Sequence, residues 1–202
     1  MKTIDKENLS EAVGQVIEGK VIVFPSETSY GLSCDATNQS AVDKIFAIKE
    51  RAGDKTLLIV VPSVEDAKKY LEWNEQIDEM AKKHWPGPLT IVGSAKLGNM
   101  EVEKLADGAV SKDGTIAVRA SAFPELKNLS EKTGRPIIST SANVSGENNL
   151  FNSEEIKSFF ANRDIKPDAF YDCGDLPSRP PTTIVKVANN AVDILRQGEI
   201  DL

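Results

Sequence analysis

Apolar positions along the chain alternate between helical spacing and short β-rich runs. Leu9, Ala12, Val13, Val16 and Ile17 fall at i, i+3, i+4, i+7 and i+8, the apolar stripe of a first helix that Gly19 closes. Residues 21–24 are a continuous apolar run, a buried strand stopped by Pro25. Residues 26–38 read as a loop. Ala41, Val42, Ile45, Phe46 and Lys49 then predict a second helix ending near Arg51-Ala52-Gly53. Residues 56–61 form the next strand, and Ser63 with Asp66 resembles a capping box for a following helix. A helix over 74–84 stops at Trp85-Pro86-Gly87-Pro88, because two prolines around a glycine cannot continue it. Further strands are predicted at 89–92, 115–119, 136–140, 169–172, 183–187 and 192–196, with helices at 123–133 and 152–160. No repeat or interdomain linker interrupts the series. Helices interleaved with strands predict one α/β domain over residues 1–202 with a mostly covered mixed sheet.

Composition narrows the function classes. An apolar share of 40% and a charged share of 27% over 202 residues describe an ordinary globular chain. With 24 Lys+Arg against 31 Asp+Glu the net charge is −7, which argues against coating nucleic acid through bulk positive charge. The single histidine, His84, excludes His-rich metal sites and leaves one imidazole for any catalytic triad. Cys34 and Cys173 stand in no metal-ligand or redox spacing, so no disulfide framework is expected. The first nine residues are mostly polar, and no apolar run approaches the ~20 residues of a membrane span. The expectation is a cytoplasmic protein with reduced thiols, no membrane segment and no resident metal.

Polar residues cluster directly after strands, where open α/β sheets place their ligands. Residues 25–31 (PSETSYG) offer hydroxyls, a carboxylate and a glycine; they are equally the residue types of a turn. Residues 49–55 hold Lys49, Arg51 and Lys55 around a helix end. They can clamp an anion such as a triphosphate, or simply complement the helix dipole. Residues 139–146 (STSANVSG) supply small donors and acceptors suited to phosphate or amino-acid recognition, and equally to caps and Ser/Thr turns. Thr182 before one strand and Arg196 at the end of the last complete the set. Neither a P-loop nor a GxGxxG fingerprint is present, so any nucleotide is held another way.

Taken in order, these segments resemble the YrdC-type family of threonylcarbamoyl-AMP synthases over nearly the whole chain. The resemblance rests on Pro25-Ser26-Glu27-Thr28-Ser29-Tyr30-Gly31-Leu32, Lys49-Glu50-Arg51, Trp85-Pro86-Gly87-Pro88-Leu89-Thr90, the strand ending Val118-Arg119, the loop from Ser139 to Gly146, and Ile194-Leu195-Arg196-Gln197-Gly198. It implies a twisted mixed β-sheet flanked by helices, with a concave ligand cleft. It also implies an enzyme that condenses L-threonine, bicarbonate and ATP, with Mg2+ accompanying the ATP, to threonylcarbamoyl-AMP and pyrophosphate. The product would serve threonylcarbamoylation of adenosine 37 in tRNA, which is reached indirectly through downstream transfer proteins. By the same resemblance Lys49 and Arg51 are catalytic, neutralising phosphates and carbamate. Thr28, Arg119, Ser139 and Thr182 bind threonine, and Arg51, Lys55, Thr115, Ser141, Asn143 and Arg196 bind ATP. Ser26, Lys55, Val60, Asn149 and Gln197 depart from the family pattern. Two alternatives stay open at this level: an RNA-binding protein of ribosome maturation, for which a local patch would suffice, and an inactive paralogue.

Overall fold

In a computed structural model that describes residues 1–51, 56–96, 98, 104–188 and 191–202, the alternating periods become ten strands and six helices among the described residues. In chain order these are β1 (Lys2–Asp5), α1 (Leu9–Ile17), β2 (Ile22–Pro25), β3 (Tyr30–Asp35), α2 (Gln39–Ile48), β4 (Ile59–Val61), α3 (Val64–Ala67), α4 (Glu75–His84), β5 (Leu89–Ser94), β6 (Thr115–Ala120), α5 (Pro124–Thr133), β7 (Ile137–Ser141), α6 (Ser153–Ala161), β8 (Ala169–Asp172), β9 (Thr183–Ala188) and β10 (Ala191–Arg196). Four helices start on asparagine. The side-chain oxygens of Asn8, Asn38, Asn74 and Asn152 accept from the backbone N–H groups of Glu11, Ala41, Ile77 and Glu155, satisfying first-turn donors. Gly134 closes α5 at φ 66°, a left-handed cap that suits glycine.

All ten strands join one mixed sheet in the order β1-β8-β2-β3-β7-β4-β6-β5-β9-β10. One face carries the larger core, where Ile59, Ile138, Ile116, Val118, Ile91 and Val185 pack beneath α2, α3, α4 and α6. The other face is apolar over only part of its width. There Ile22, Phe24, Val60 and Ile137 pack beneath Ala12, Val13 and Val16 of α1 and Leu126 and Leu129 of α5. The pairs Val60–Ile137 and Val60–Arg119 continue this face from apolar to polar side chains. Strand alternation does the rest: Ile116 and Val118 enter the core while Ala117 and Arg119 turn to the opposite, open side.

The predicted elements are present, with differences that have physical causes. β3 lies inside the segment expected to be a loop. Its sequence YGLSCD is poor in β-branched residues, yet all six positions are buried. Gly31 is needed there, because a Cβ would sit 2.9 Å from the Thr140 carbonyl of the neighbouring β7. β1 is a short edge strand whose mostly polar sequence carries no period. The capping box at Ser63 opens only the single turn of α3.

The second helix ends at Ile48, earlier than the glycine at 53 suggested. Glu50 adopts a left-handed φ of 48°. Its N–H donates to Ala47 O at 3.2 Å and the Arg51 N–H donates to Phe46 O at 3.1 Å, the paired bonds of a Schellman turn. A glutamate thus does what glycine usually does. Among the described residues no helix is long and apolar enough to cross a membrane, and Cys34 and Cys173 are free thiols.

Candidate active site

The open side of the sheet forms a cleft of about 480 Å³ lined from β3, β5, β6, β7, β9, β10 and their connecting loops. Four cationic side chains line it: Lys49, Arg51, Arg119 and Arg196. No carboxylate is among its described lining residues, in a chain whose net charge is −7. Gathering four positive charges in one partly enclosed site makes its potential positive and favours an incoming anion. The electrostatic consequences are local. Burial, and then Arg51, lower the Lys49 amine from its ordinary 10.5 to about 8. Burial and Arg119 pull Arg196 below its usual value.

The Schellman turn after α2 supplies two of the cations. Lys49 is 3% exposed, and its ammonium donates to Ser141 O at 2.6 Å, Asn143 O at 2.9 Å and Asn143 Oδ1 at 3.1 Å. Arg51 donates from Nη2 to Thr56 O at 3.1 Å. The loop after β7 is internally bonded. Ser141 Oγ donates to Asn143 Oδ1 at 2.5 Å, and Asn143 Nδ2 donates to Glu147 O at 2.6 Å.

Arg119, at the end of β6, is also 3% exposed, and its Nε is buried without a hydrogen-bond partner. Its nearest anion is Glu27, at 3.6 Å from Nη2. Glu27 is held in turn by Ser121 Oγ, 3.0 Å from both carboxylate oxygens. Thr28 lines the cleft nearby, its hydroxyl 3.2 Å from that of Ser26. On the far side Arg196 donates to Thr182 from Nε at 3.0 Å to O, and from Nη2 at 2.8 Å to O and 2.9 Å to Oγ1. The Thr182 hydroxyl also lies 3.2 Å from that of buried Thr90.

The structure therefore gathers Lys49, Arg51, Thr28, Arg119, Ser139, Thr182, Ser141, Asn143 and Arg196 around one cleft, and Asn149 with them. Thr115 is elsewhere. Its hydroxyl donates to Asp113 Oδ1 at 2.8 Å in the turn that opens β6, and it is not among the lining residues. Lys55 lies outside the described residues. Residue patterns left two contributors unnamed. Glu27 stands in the quoted strand-end motif, but its pairing with Arg119 spans 92 positions. Thr90 is fully buried and ends the quoted Trp85–Thr90 motif, but its hydroxyl contact with Thr182 spans 92 positions.

A family model described as Sua5/YciO/YrdC, telomere recombination, matches residues 15–198. The chain belongs to the Sua5/YciO/YrdC family. A threonylcarbamoyl-AMP synthase from Pseudoalteromonas translucida (strain TAC 125) is 33% identical over 159 residues, covering 77% of this chain and 82% of the relative. Sua5 of P. abyssi, solved in complex with L-threonine, superposes with a TM-score of 0.82 at 30% identity over 98% of this chain. This chain spans 57% of that protein's length. E. coli YciO superposes with a TM-score of 0.83 at 24% identity, over 99% of this chain and 96% of its own, and shares the fold.

Proposed function

We propose that this Sua5/YciO/YrdC chain is an L-threonylcarbamoyladenylate synthase acting on L-threonine, bicarbonate and ATP. The observation that carries the reading is the cleft that gathers four cations and no acid among its described lining. It matches a reaction in which a carboxylate, a carbamate and a triphosphate share one site. Support from relatives comes from the named synthase at 33% identity and from the L-threonine complex of P. abyssi Sua5.

The threonine amine condenses with bicarbonate to a carbamate, releasing water. A carbamate oxygen then attacks the α-phosphorus of ATP, and the α–β bridging oxygen leaves with pyrophosphate. Little proton transfer is needed beyond freeing the amine, so positioning and charge neutralisation do most of the work. In this reading the unpartnered Arg119 Nε takes the threonine carboxylate, with Thr28, Ser139 and Thr182 beside it. Arg51 and Arg196 face the phosphates, Lys49 adds its charge, and Ser141 and Asn143 shape the nucleotide side. Lys55 is a further nucleotide contact in the same proposal, whereas Thr115, held in the Asp113 turn outside the cleft lining, is not.

Magnesium fits as a companion of the triphosphate. Among the described residues no group of three or more His, Cys, Asp or Glu could hold a metal. The cleft's neutral oxygen donors are hydroxyls and carbonyls, which suit an ion kept mainly by phosphate and water. When bound, it would supply charge neutralisation on the phosphates. The adenylate would pass to transfer proteins acting on tRNA.

The test is pyrophosphate release by purified protein given all three substrates, with each omitted in turn. Release that requires both threonine and bicarbonate supports the reading; no threonine-dependent release refutes it. Arg51→Ala should lower turnover by about 100-fold, as removal of one charge-stabilising donor does.

A further inference from the structure

Lys49 reaches the cleft from the end of α2, yet all three of its protons already have acceptors. Its Nζ lies 2.6 Å from Ser141 O, 2.9 Å from Asn143 O and 3.1 Å from Asn143 Oδ1. The same loop returns to the lysine's main chain, where the Ser145 N–H donates to Lys49 O at 3.1 Å. An ammonium has three donors and no acceptor, so a fourth strong partner requires breaking one of these bonds. The side chain is 3% exposed, and every acceptor belongs to one segment, residues 141–143. A cation evolved only to meet a mobile anion would gain by keeping donors free.

We propose that Lys49 is a positioning residue: its ammonium fastens the loop after β7 in the shape that receives the ligands, and it acts on them through that loop. The proposal rests on the synthase reading for its functional consequence only; the brace itself belongs to the ligand-free protein. Geometry also explains the choice of lysine. Three oxygens converge on one compact point, which a tetrahedral ammonium satisfies and a planar guanidinium does not. Ser141 Oγ at 3.4 Å and its bond to Asn143 Oδ1 close the network around that point.

Two measurements decide the matter. In ligand-free protein, hydrogen exchange of the segment 141–147 is compared between wild type and Lys49→Met, with α1 and α5 as internal references. Loss of charge-assisted bonds should speed exchange in the loop by about tenfold or more while the references hold. Unchanged loop protection would overturn the brace. The second variant, Lys49→Arg, keeps the charge and guards against a methionine variant that fails to fold. Under the proposal it exchanges fast in the loop and loses most pyrophosphate-forming activity. Near-normal activity in Lys49→Arg would show that charge alone matters and would overturn the proposal. Because exchange is read without substrate, a failed synthase assay leaves the brace standing, and a failed brace leaves the assay standing.

Discussion

The guanidinium of cleft-lining Arg119 and the carboxylate of Glu27 lie 3.6 Å apart, both largely shielded from water. Glu27 is anchored from behind by Ser121, whose hydroxyl also accepts from the Phe123 N–H at 3.1 Å just before α5. The glutamate thus acts as the resident counter-charge for an arginine that sits near a second one, Arg196. In Glu27→Gln that counter-charge is gone. The expected loss is about 3 kcal/mol, the low end for an orphaned buried charge because the pair is not within hydrogen-bond distance. That corresponds to roughly 5–10 °C in Tm for a chain of this size. In the proposed reaction threonine brings a carboxylate to the same arginine, so saturating threonine should raise the variant's Tm more than the wild type's. Equal melting temperatures without ligand would show that Arg119 does not need Glu27.

Glu50 offers a test of the turn that presents Lys49 and Arg51. Its left-handed φ of 48° costs a residue with a Cβ about 1 kcal/mol relative to glycine. The Glu50 side chain is exposed and meets Arg163 at 3.4 Å, an ion pair worth little at the surface. Glu50→Gly should therefore raise Tm by about 2–4 °C in a thermal melt. A lower Tm would mean that the Arg163 pair outweighs the backbone strain.

Gly198 packs directly against the backbone of cleft-lining Pro181 and Thr182. A Cβ there would fall 2.2 Å from Pro181 O and 2.6 Å from the Thr182 carbonyl carbon. The Gly198 N–H donates to Thr183 Oγ1 at 3.1 Å, so the segment is tied to the strand it crosses. Gly198→Ala should cost about 1–3 kcal/mol as overpacking. It should also raise the KM for ATP, since Thr182 is the residue that Arg196 grips. A variant with wild-type Tm and KM would contradict this packing.

Lys49 ties activity to pH. With its amine near 8, the charged form dominates below that pH and is lost as pH rises through it. A neutral amine keeps two donors for three oxygens, so kcat/KM for ATP should decline above about pH 8. Anionic substrates favour the charged form, so the decline in kcat should lie at higher pH. The residual activity of Lys49→Arg should lack the decline, because arginine stays charged. A profile identical in both proteins would assign the decline to another group.

Much of this site was legible in the sequence because its residues sit in short, ordered motifs at strand ends. Lys49, Arg119, Ser139 and Arg196 stand in those motifs, and all four line the cleft. What the sequence hid was pairing across distance. Nothing in the string shows that Glu27 meets Arg119, or that the Lys49 donors are already taken by Ser141 and Asn143. β3 was hidden for a different reason: a strand that must let β7 approach closely uses Gly31 and small polar residues, which read as a loop. The early end of α2 was masked because a glutamate fills the left-handed position where glycine is the usual signal. Thr115 illustrates the converse. It shares the face of Ala117 and Arg119 by alternation, but its hydroxyl is taken by the Asp113 turn.

In the proposed reaction this cleft joins bicarbonate carbon to threonine and then to AMP. Mass spectrometry of the product formed from ATP, L-threonine and 13C-bicarbonate tests it most directly. The expected result is an AMP adduct that contains threonine and one 13C, formed together with pyrophosphate. A threonine–AMP adduct without the labelled carbon, or no adduct at all, would contradict it.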